Sequence, residues 1–363
     1  MSVIDTRQTS RAAVERPGRA GGGAVRRRLG TDDLTVLTVF VLTAVLIAAS
    51  RLISPSLGSW GQVRAMLVLS TFVMVVGFGQ QTVILMGGLD LAVPAVMTLG
   101  AVLMFSYVGD ASTALLWGVP LVLLITGTLG AVSGLAITIL KIPPFIMTLA
   151  MGIILASALL GVTGGAPRGT ASPLLVGLFN RDWFGVPPIV YLMVGFTAVA
   201  SLFQRYTAFG RRLYAIGTSP DAAYIAGLPV KRVTILAYAI SGAASGLAGI
   251  LMVGFSEGAT LNSGDDVLIP SIAAVVVGGT SILGGRGTYL GAVGGALLLT
   301  TFSTMISALG VGAGWRELIY GSVILAALLA LQNDLRLWVT RIPSTFGSKP
   351  LDRGQHTNVG GIS

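Results

Sequence analysis

A single aspartate stands between apolar runs in Met86-Gly87-Gly88-Leu89-Asp90-Leu91-Ala92-Val93-Pro94. An acidic side chain near the centre of a bilayer costs about 2.5–3.5 kcal/mol, so Asp90 must face protein or water. Gly87 and Gly88 before it and Pro94 after it predict a broken helix whose backbone polar groups line a cavity. One reading puts Asp90 at or near a solute path. The other has it cap the helix starting near Leu91. Gln80 and Gln81, on the preceding apolar run, are milder cases. Their amides can bond a solute hydroxyl or a neighbouring helix.

Enzyme chemistry finds no support. His356 is the only histidine and there is no cysteine. That excludes a His/Cys metal site, a histidine-based triad and thiol chemistry, and it says nothing about compartment. The Gly-rich stretch Gly278-Gly279-Thr280-Ser281-Ile282-Leu283-Gly284-Gly285-Arg286-Gly287 lacks the lysine of a phosphate loop. It reads as a tight turn or helix break between two spans. Neither a metal nor a cofactor is expected, and any ATP the protein depends on must be hydrolysed by another chain.

A second motif carries mechanics instead of chemistry. Ser219-Pro220-Asp221-Ala222-Ala223-Tyr224-Ile225-Ala226-Gly227-Leu228-Pro229 predicts a two-turn helix over 220–226. Ser219 caps its free N–H groups, Pro220 suits the first position, and Asp221 meets the positive end of the dipole. Gly227 supplies the left-handed stop, and Pro229 prevents a restart. The helix sits in a basic polar loop, 204–232, between long apolar runs. A pore has little use for such a part, whereas a transporter pushed by a cytoplasmic engine does.

The elements that position these motifs are membrane helices. The chain is 53% hydrophobic and 10% charged, with mean hydropathy +0.85. Soluble domains carry about 25% charged residues. Runs near twenty residues cross the ~30 Å hydrocarbon layer as helices. Ten are read, at 34–50, 66–86, 91–108, 114–140, 143–162, 186–203, 233–254, 267–283, 288–309 and 316–332. The segment 267–283 is short, has Pro270 near its start, and reads as partly inserted or broken. Glycine, 50 of 363 residues, lets such helices approach closely.

Charge sets the orientation. Of 23 basic residues, 18 fall on the side of the amino terminus and five on the other. This bias predicts cytoplasmic termini and a cytoplasmic 204–232 loop. It also explains the net charge of +9 without nucleic acid. Residues 1–33 read as a disordered cytoplasmic tail whose arginines meet anionic lipid. A cleaved signal peptide competes, but the apolar run is too long and its charged lead too extended. Residues 34–335 form the transmembrane domain, and 336–363 a cytoplasmic tail. The interval between Gly87-Gly88 and Leu99-Gly100-Ala101-Val102 repeats between Gly278-Gly279 and Leu290-Gly291-Ala292-Val293. Composition this biased yields such echoes by chance as readily as by duplication.

Asp221-Ala222-Ala223 with Gly227, then Leu228-Pro229, resembles the cytoplasmic Glu-Ala-Ala…Gly loop of ABC importer permeases. Aspartate stands where many members have glutamate. Four further stretches are similar to the ribose, xylose, arabinose and galactose importer permeases. They are Gly87-Gly88-Leu89-Asp90-Leu91-Ala92-Val93, Pro144-Phe145-Ile146-Met147-Thr148-Leu149, Gly210-Arg211-Arg212-Leu213-Tyr214-Ala215-Ile216-Gly217, and Ile272 through Ser281. The match runs from about residue 64 to 335.

The resemblance implies an all-α inner-membrane permease of about ten helices, at least one broken, of the type II importer kind. It implies an ABC ATPase beneath, a periplasmic sugar-binding protein above, and a second permease copy, identical or paralogous. Its mechanism would be alternating access, with the short helix transmitting ATPase motion and with Gln80, Gln81, Gly87, Gly88, Asp90 and Thr148 as the candidate path. Branched-chain amino-acid permeases share the architecture, so another small polar solute is the alternative. A secondary transporter is a further one, opposed by the scarcity of intramembrane charge. A membrane scaffold is the last.

Overall fold

The computed structural model describes residues 31–53, 57–310 and 312–331. The expected tails lie almost wholly outside them, and Thr31 already opens the first helix. In chain order the helices are α1 (Thr31–Ile53), α2 (Trp60–Ile84), α3 (Val93–Leu103), α4 (Ala114–Ile139), α5 (Pro144–Thr163) and α6 (Pro173–Asn180). Then follow α7 (Pro188–Tyr206), α8 (Ala208–Thr218), α9 (Pro220–Ile225), α10 (Val230–Ser256), α11 (Leu268–Val277), α12 (Tyr289–Ala308) and α13 (Ala313–Leu331). Among the described residues, seven are long and apolar enough to cross a membrane: α1, α2, α4, α5, α7, α10 and α12.

Two expected spans are shorter than their apolar runs. α3 begins at Val93 and is prolonged to Val108 by a π turn. The run 267–283 holds only the ten residues of α11, about 15 Å at 1.5 Å per residue. Asp265 and Asp266 form a 3₁₀ turn before it, and Gly279 at φ 90° ends it. The 204–232 segment is likewise more ordered than a loop. α7 runs on to Tyr206, and α8 adds eleven helical residues before α9.

Glycine decides how the helices meet. α10 is the hub, packed against α2, α3 and α4. A methyl at Gly130 of α4 would collide with the Tyr238 carbonyl, and one at Gly242 with the Thr126 carbonyl. A methyl at Gly249 would collide with the Met97 carbonyl of α3. Bare backbones therefore touch on two sides of α10, which provides the close packing that lipid cannot drive hydrophobically. On the far side of α2, Phe78 meets Tyr289 and Phe196 edge-on, at centroid distances of 5.1 and 5.7 Å. The Tyr289 hydroxyl donates to the Met74 carbonyl at 2.9 Å. α4 and α5 leave large apolar faces exposed, among them Leu116, Leu124, Ile153 and Ile154. Such faces suit lipid or another membrane chain.

Candidate functional site

α2 ends in a Schellman stop. The Gly88 N–H bonds the Val83 carbonyl at 3.1 Å, the Gly87 N–H bonds the Ile84 carbonyl at 2.8 Å, and Gly87 takes φ 77°. The chain then runs without helix through Gly88–Ala92 before α3. Two helices hold this segment. From α10, the Ser241 hydroxyl donates to Asp90 Oδ2 at 2.7 Å, and the Tyr238 hydroxyl donates to the Leu89 carbonyl at 3.4 Å. From α5, Thr148 Oγ1 accepts the Leu91 N–H at 3.0 Å. Asp90 Oδ1 accepts the Ala92 N–H at 3.0 Å.

Asp90 is therefore not the N-cap. Ala92 holds that position, without a side-chain cap, because α3 starts two residues later than expected. The aspartate makes an Asx-type turn into the helix instead. It is 4% exposed and buried among its partners. The contact at Ser241 lies eleven residues into α10, about 16 Å from its start. Gly88 belongs to the same knot, since a Cβ there would sit 2.7 Å from the Tyr238 hydroxyl. Gln81 Nε2 bonds Thr280 Oγ1 at 3.2 Å. Gln80 is fully buried, and its amide has no hydrogen-bond partner among the described residues.

Above this knot lies a cleft of about 230 Å³. Leu91, Pro94, Ala95 and Thr98 form one wall, α5 from Leu149 to Leu159 forms the other, and Leu261 and Asp265 close an end. The 258–265 loop is seated there by the Gly264 N–H, which bonds Thr98 Oγ1 at 3.1 Å. Two interruptions of helix thus converge on one cleft, the segment before α3 and the loop before α11. None of the six path residues named from the sequence lines it. Asp90 and Thr148 lie behind its wall. Nothing in the sequence links Asp265 to Thr98, because only the fold brings them together.

α9 covers Pro220–Ile225, one residue shorter than expected. The Ser219 hydroxyl accepts the Ala222 N–H at 3.3 Å. At the other end, the Leu228 N–H bonds the Ala223 carbonyl and the Gly227 N–H bonds the Tyr224 carbonyl, both at 3.0 Å, with Gly227 at φ 79°. Ala223 faces inward against Leu85, Leu213, Ile216, Val233 and Ala237. Tyr224 is 74% exposed and Ile225 85%, so neither packs back onto its own loop.

α8 joins this outer helix to the segment before α3. The Gly285 N–H bonds the Leu85 carbonyl at 2.9 Å, and a methyl at Gly217 would strike that same carbonyl. The Tyr214 hydroxyl donates to the Gly287 carbonyl at 2.6 Å. The end of α8, the end of α2 and the 281–287 turn thus meet at one carbonyl oxygen. The sequence marks the glycines of this crossing but not which backbones cross there.

Residues 62–328 match the family described as "Branched-chain amino acid transport system / permease component". The ribose import permease protein RbsC of Bacillus subtilis is 34% identical over 262 residues, covering 70% of this chain and 79% of that protein. RbsC of Escherichia coli K12 is 32% identical over 292 residues, covering 78% and 90%. The fructose import permease protein FrcC of Rhizobium meliloti is 32% identical over 280 residues, covering 74% and 75%. No solved structure matches.

Proposed function

Because the chain belongs to the permease family of branched-chain amino acid transport systems, we propose that it is the membrane subunit of an ABC importer for a monosaccharide. A separate ATPase drives it from the cytoplasm, and a periplasmic binding protein delivers the sugar. A second permease copy, identical or paralogous, completes the path. In this reading ten segments enter the bilayer, with α3, α11 and α13 joining the seven long helices. The chain is broken before α3 and before α11, the architecture is that of the type II importers, and both termini and the 204–232 loop are cytoplasmic.

One observation carries the reading: a two-turn helix, capped at both ends, that buries Ala223 and turns Tyr224 and Ile225 outward. Nothing in the chain's own stability calls for an exposed aromatic beside an exposed isoleucine. A docking ATPase does, since buried aromatics are common interface anchors. ATP binding closes the ATPase dimer and moves α9. α8 moves with it, and the shift reaches the segment before α3 through the Leu85 carbonyl.

The solute passes along the α3–α5 cleft, and the Asp90 knot braces its wall. Interrupted helices near the midplane suit such a site. Among the described residues, Asp265 is the only ionisable one lining the cleft, and none there is a lysine or arginine that could meet an amino-acid carboxylate. That favours a neutral polyol, as do relatives named for ribose and fructose import. Affinity sits mainly in the binding protein, since tight binding midway slows release.

Reconstitution tests this. Proteoliposomes holding the permease, its ATPase and the binding protein should accumulate a pentose or hexose only with ATP. Leucine uptake in its place, or sugar uptake surviving a hydrolysis-dead ATPase, would overturn the assignment.

A further inference from the structure

Ahead of α7 the chain makes a two-residue hairpin. Trp183 and Val186 exchange both backbone hydrogen bonds at 3.0 Å, with Phe184 and Gly185 between them. Phe184 takes φ 51° and Gly185 φ 83°, as a type I′ turn requires. Glycine adopts this backbone readily, whereas a bulky residue with positive φ is an outlier. The surroundings hold it there. The Tyr191 hydroxyl donates to the Trp183 carbonyl at 3.0 Å, and Trp60 Nε1 donates to the Gly185 carbonyl at 3.2 Å. Arg64 pairs with Asp182 at 2.7 Å beside the tip. The result is a rigid finger whose end is a wholly exposed phenyl ring.

From this we infer that the 183–186 hairpin is a membrane-interface anchor, with the Phe184 ring inserted among lipid headgroups and upper acyl chains. Its depth supports this. α7 starts two residues after the hairpin and is about 28 Å long, close to the ~30 Å hydrocarbon layer. A hairpin at its head therefore lies at the boundary, as does Trp60 at the head of α2. Trp60, Trp183 and Tyr191 are all partly exposed around the ring. Trp and Tyr concentrate at this level, where an apolar body and a polar tip are both satisfied. α7 packs on α2, α6, α8 and α12, whereas α5 packs on α3 and α4. The finger thus crowns a different flank from the cleft. Lipid rather than a delivering protein is its partner, and the anchor would fix the tilt of α2 and α7 together. This inference needs only the membrane setting, so it stands whether or not the solute is a sugar.

The absence of cysteine makes the test direct. Full-length Phe184→Cys carries a bimane label in phosphatidylethanolamine–phosphatidylglycerol vesicles. A nitroxide high on the acyl chain should quench it about threefold more than aqueous iodide does. A purified periplasmic sugar-binding protein should leave the signal unchanged. Stronger quenching by iodide, or protection appearing only with the binding protein, overturns the inference. The latter result would make the finger a protein-docking site. Phe184→Asp and Phe184→Trp give a second readout. Asp should lower the melting midpoint in vesicles but not in detergent, and Trp should retain it in both. Equal loss in both media would reduce the ring to local packing and also refute the anchor.

Discussion

Two short glycine-marked elements interrupt the helices, and they are stabilised in opposite ways. The segment from Gly88 to Ala92 has no regular structure of its own and borrows partners from α5 and α10 through Thr148, Tyr238 and Ser241. α9 closes its own ends with Ser219 and Gly227 and shows its largest side chains to solvent. One is defined from outside and the other from within. Damage to the first should therefore appear as lost fold, and damage to the second as lost work with the fold intact.

The sharpest break of that contrast is Asp90→Leu. It strands the Ser241 hydroxyl and the Ala92 N–H in a dry site, each unmet group costing roughly 1–3 kcal/mol. We expect a loss of about 2–4 kcal/mol, seen as a lower melting midpoint and lower membrane yield, with transport abolished. Asp90→Asn keeps an acceptor for Ala92 and a partner for Ser241. It should fold near normally and retain transport if bracing is the whole role. Native midpoint and native transport in Asp90→Leu would refute both bracing and path roles.

Gly227→Val tests the other side. The space around Gly227 is open, so the valine meets no neighbour. Its penalty is purely conformational, since a β-branched residue resists φ 79°. The cost of roughly 1–2 kcal/mol falls on the end of α9 alone. Normal membrane level with transport near background is expected. A fall in yield matching that of Asp90→Leu would erase the distinction between the two elements.

The same contrast explains what could be read in advance. The caps of α9 act within about three residues, so Ser219, Pro220 and Gly227 announce the helix in the chain itself. The seven long helices are equally local, because an apolar run needs no partner to be recognised. The knot is not local: Asp90 lies 151 positions from Ser241, and Leu91 lies 57 from Thr148. Expectation reached the residue types there but set the cap two residues early. α8 carries no apolar run to announce it, since its eleven residues alternate buried Leu213 and Ile216 with exposed Arg211 and Arg212. The cleft left no signal, since Thr98, Gly152 and Asp265 gain meaning only once α3, α5 and the 258–265 loop converge.

Tyr224→Ala sharpens the contrast at smaller scale. The side chain is mostly exposed, so stability should stay within about 0.5 kcal/mol of wild type. If Tyr224 is an interface anchor, ATPase affinity falls by about 2 kcal/mol, roughly thirtyfold. Co-purification and titration of the ATPase measure this. Undiminished recovery with normal sugar-stimulated hydrolysis would remove α9 from the mechanism.

The smallest expected effect lies where the two elements are joined. The Tyr214 hydroxyl reaches the Gly287 carbonyl, tying α8 to the turn that also grips Leu85. Tyr214→Phe keeps the ring in place against the cluster of Leu85, Leu213 and Ile216 and removes only the donor. A single such bond is worth about 0.5–1.5 kcal/mol net, too little to unfold a bundle this size. Its loss lets α8 slide against the turn, so part of the stroke at α9 is dissipated before it reaches Leu85. The expected signature is normal ATPase binding, normal hydrolysis and fewer sugars carried per ATP. Gly217→Ala is a harsher change, because its methyl would collide with the Leu85 carbonyl, and it should lower membrane yield as well as that ratio. If both variants kept the wild-type ratio of transport to hydrolysis, the crossing at Leu85 would be scaffold only, and the stroke would have to travel through α10.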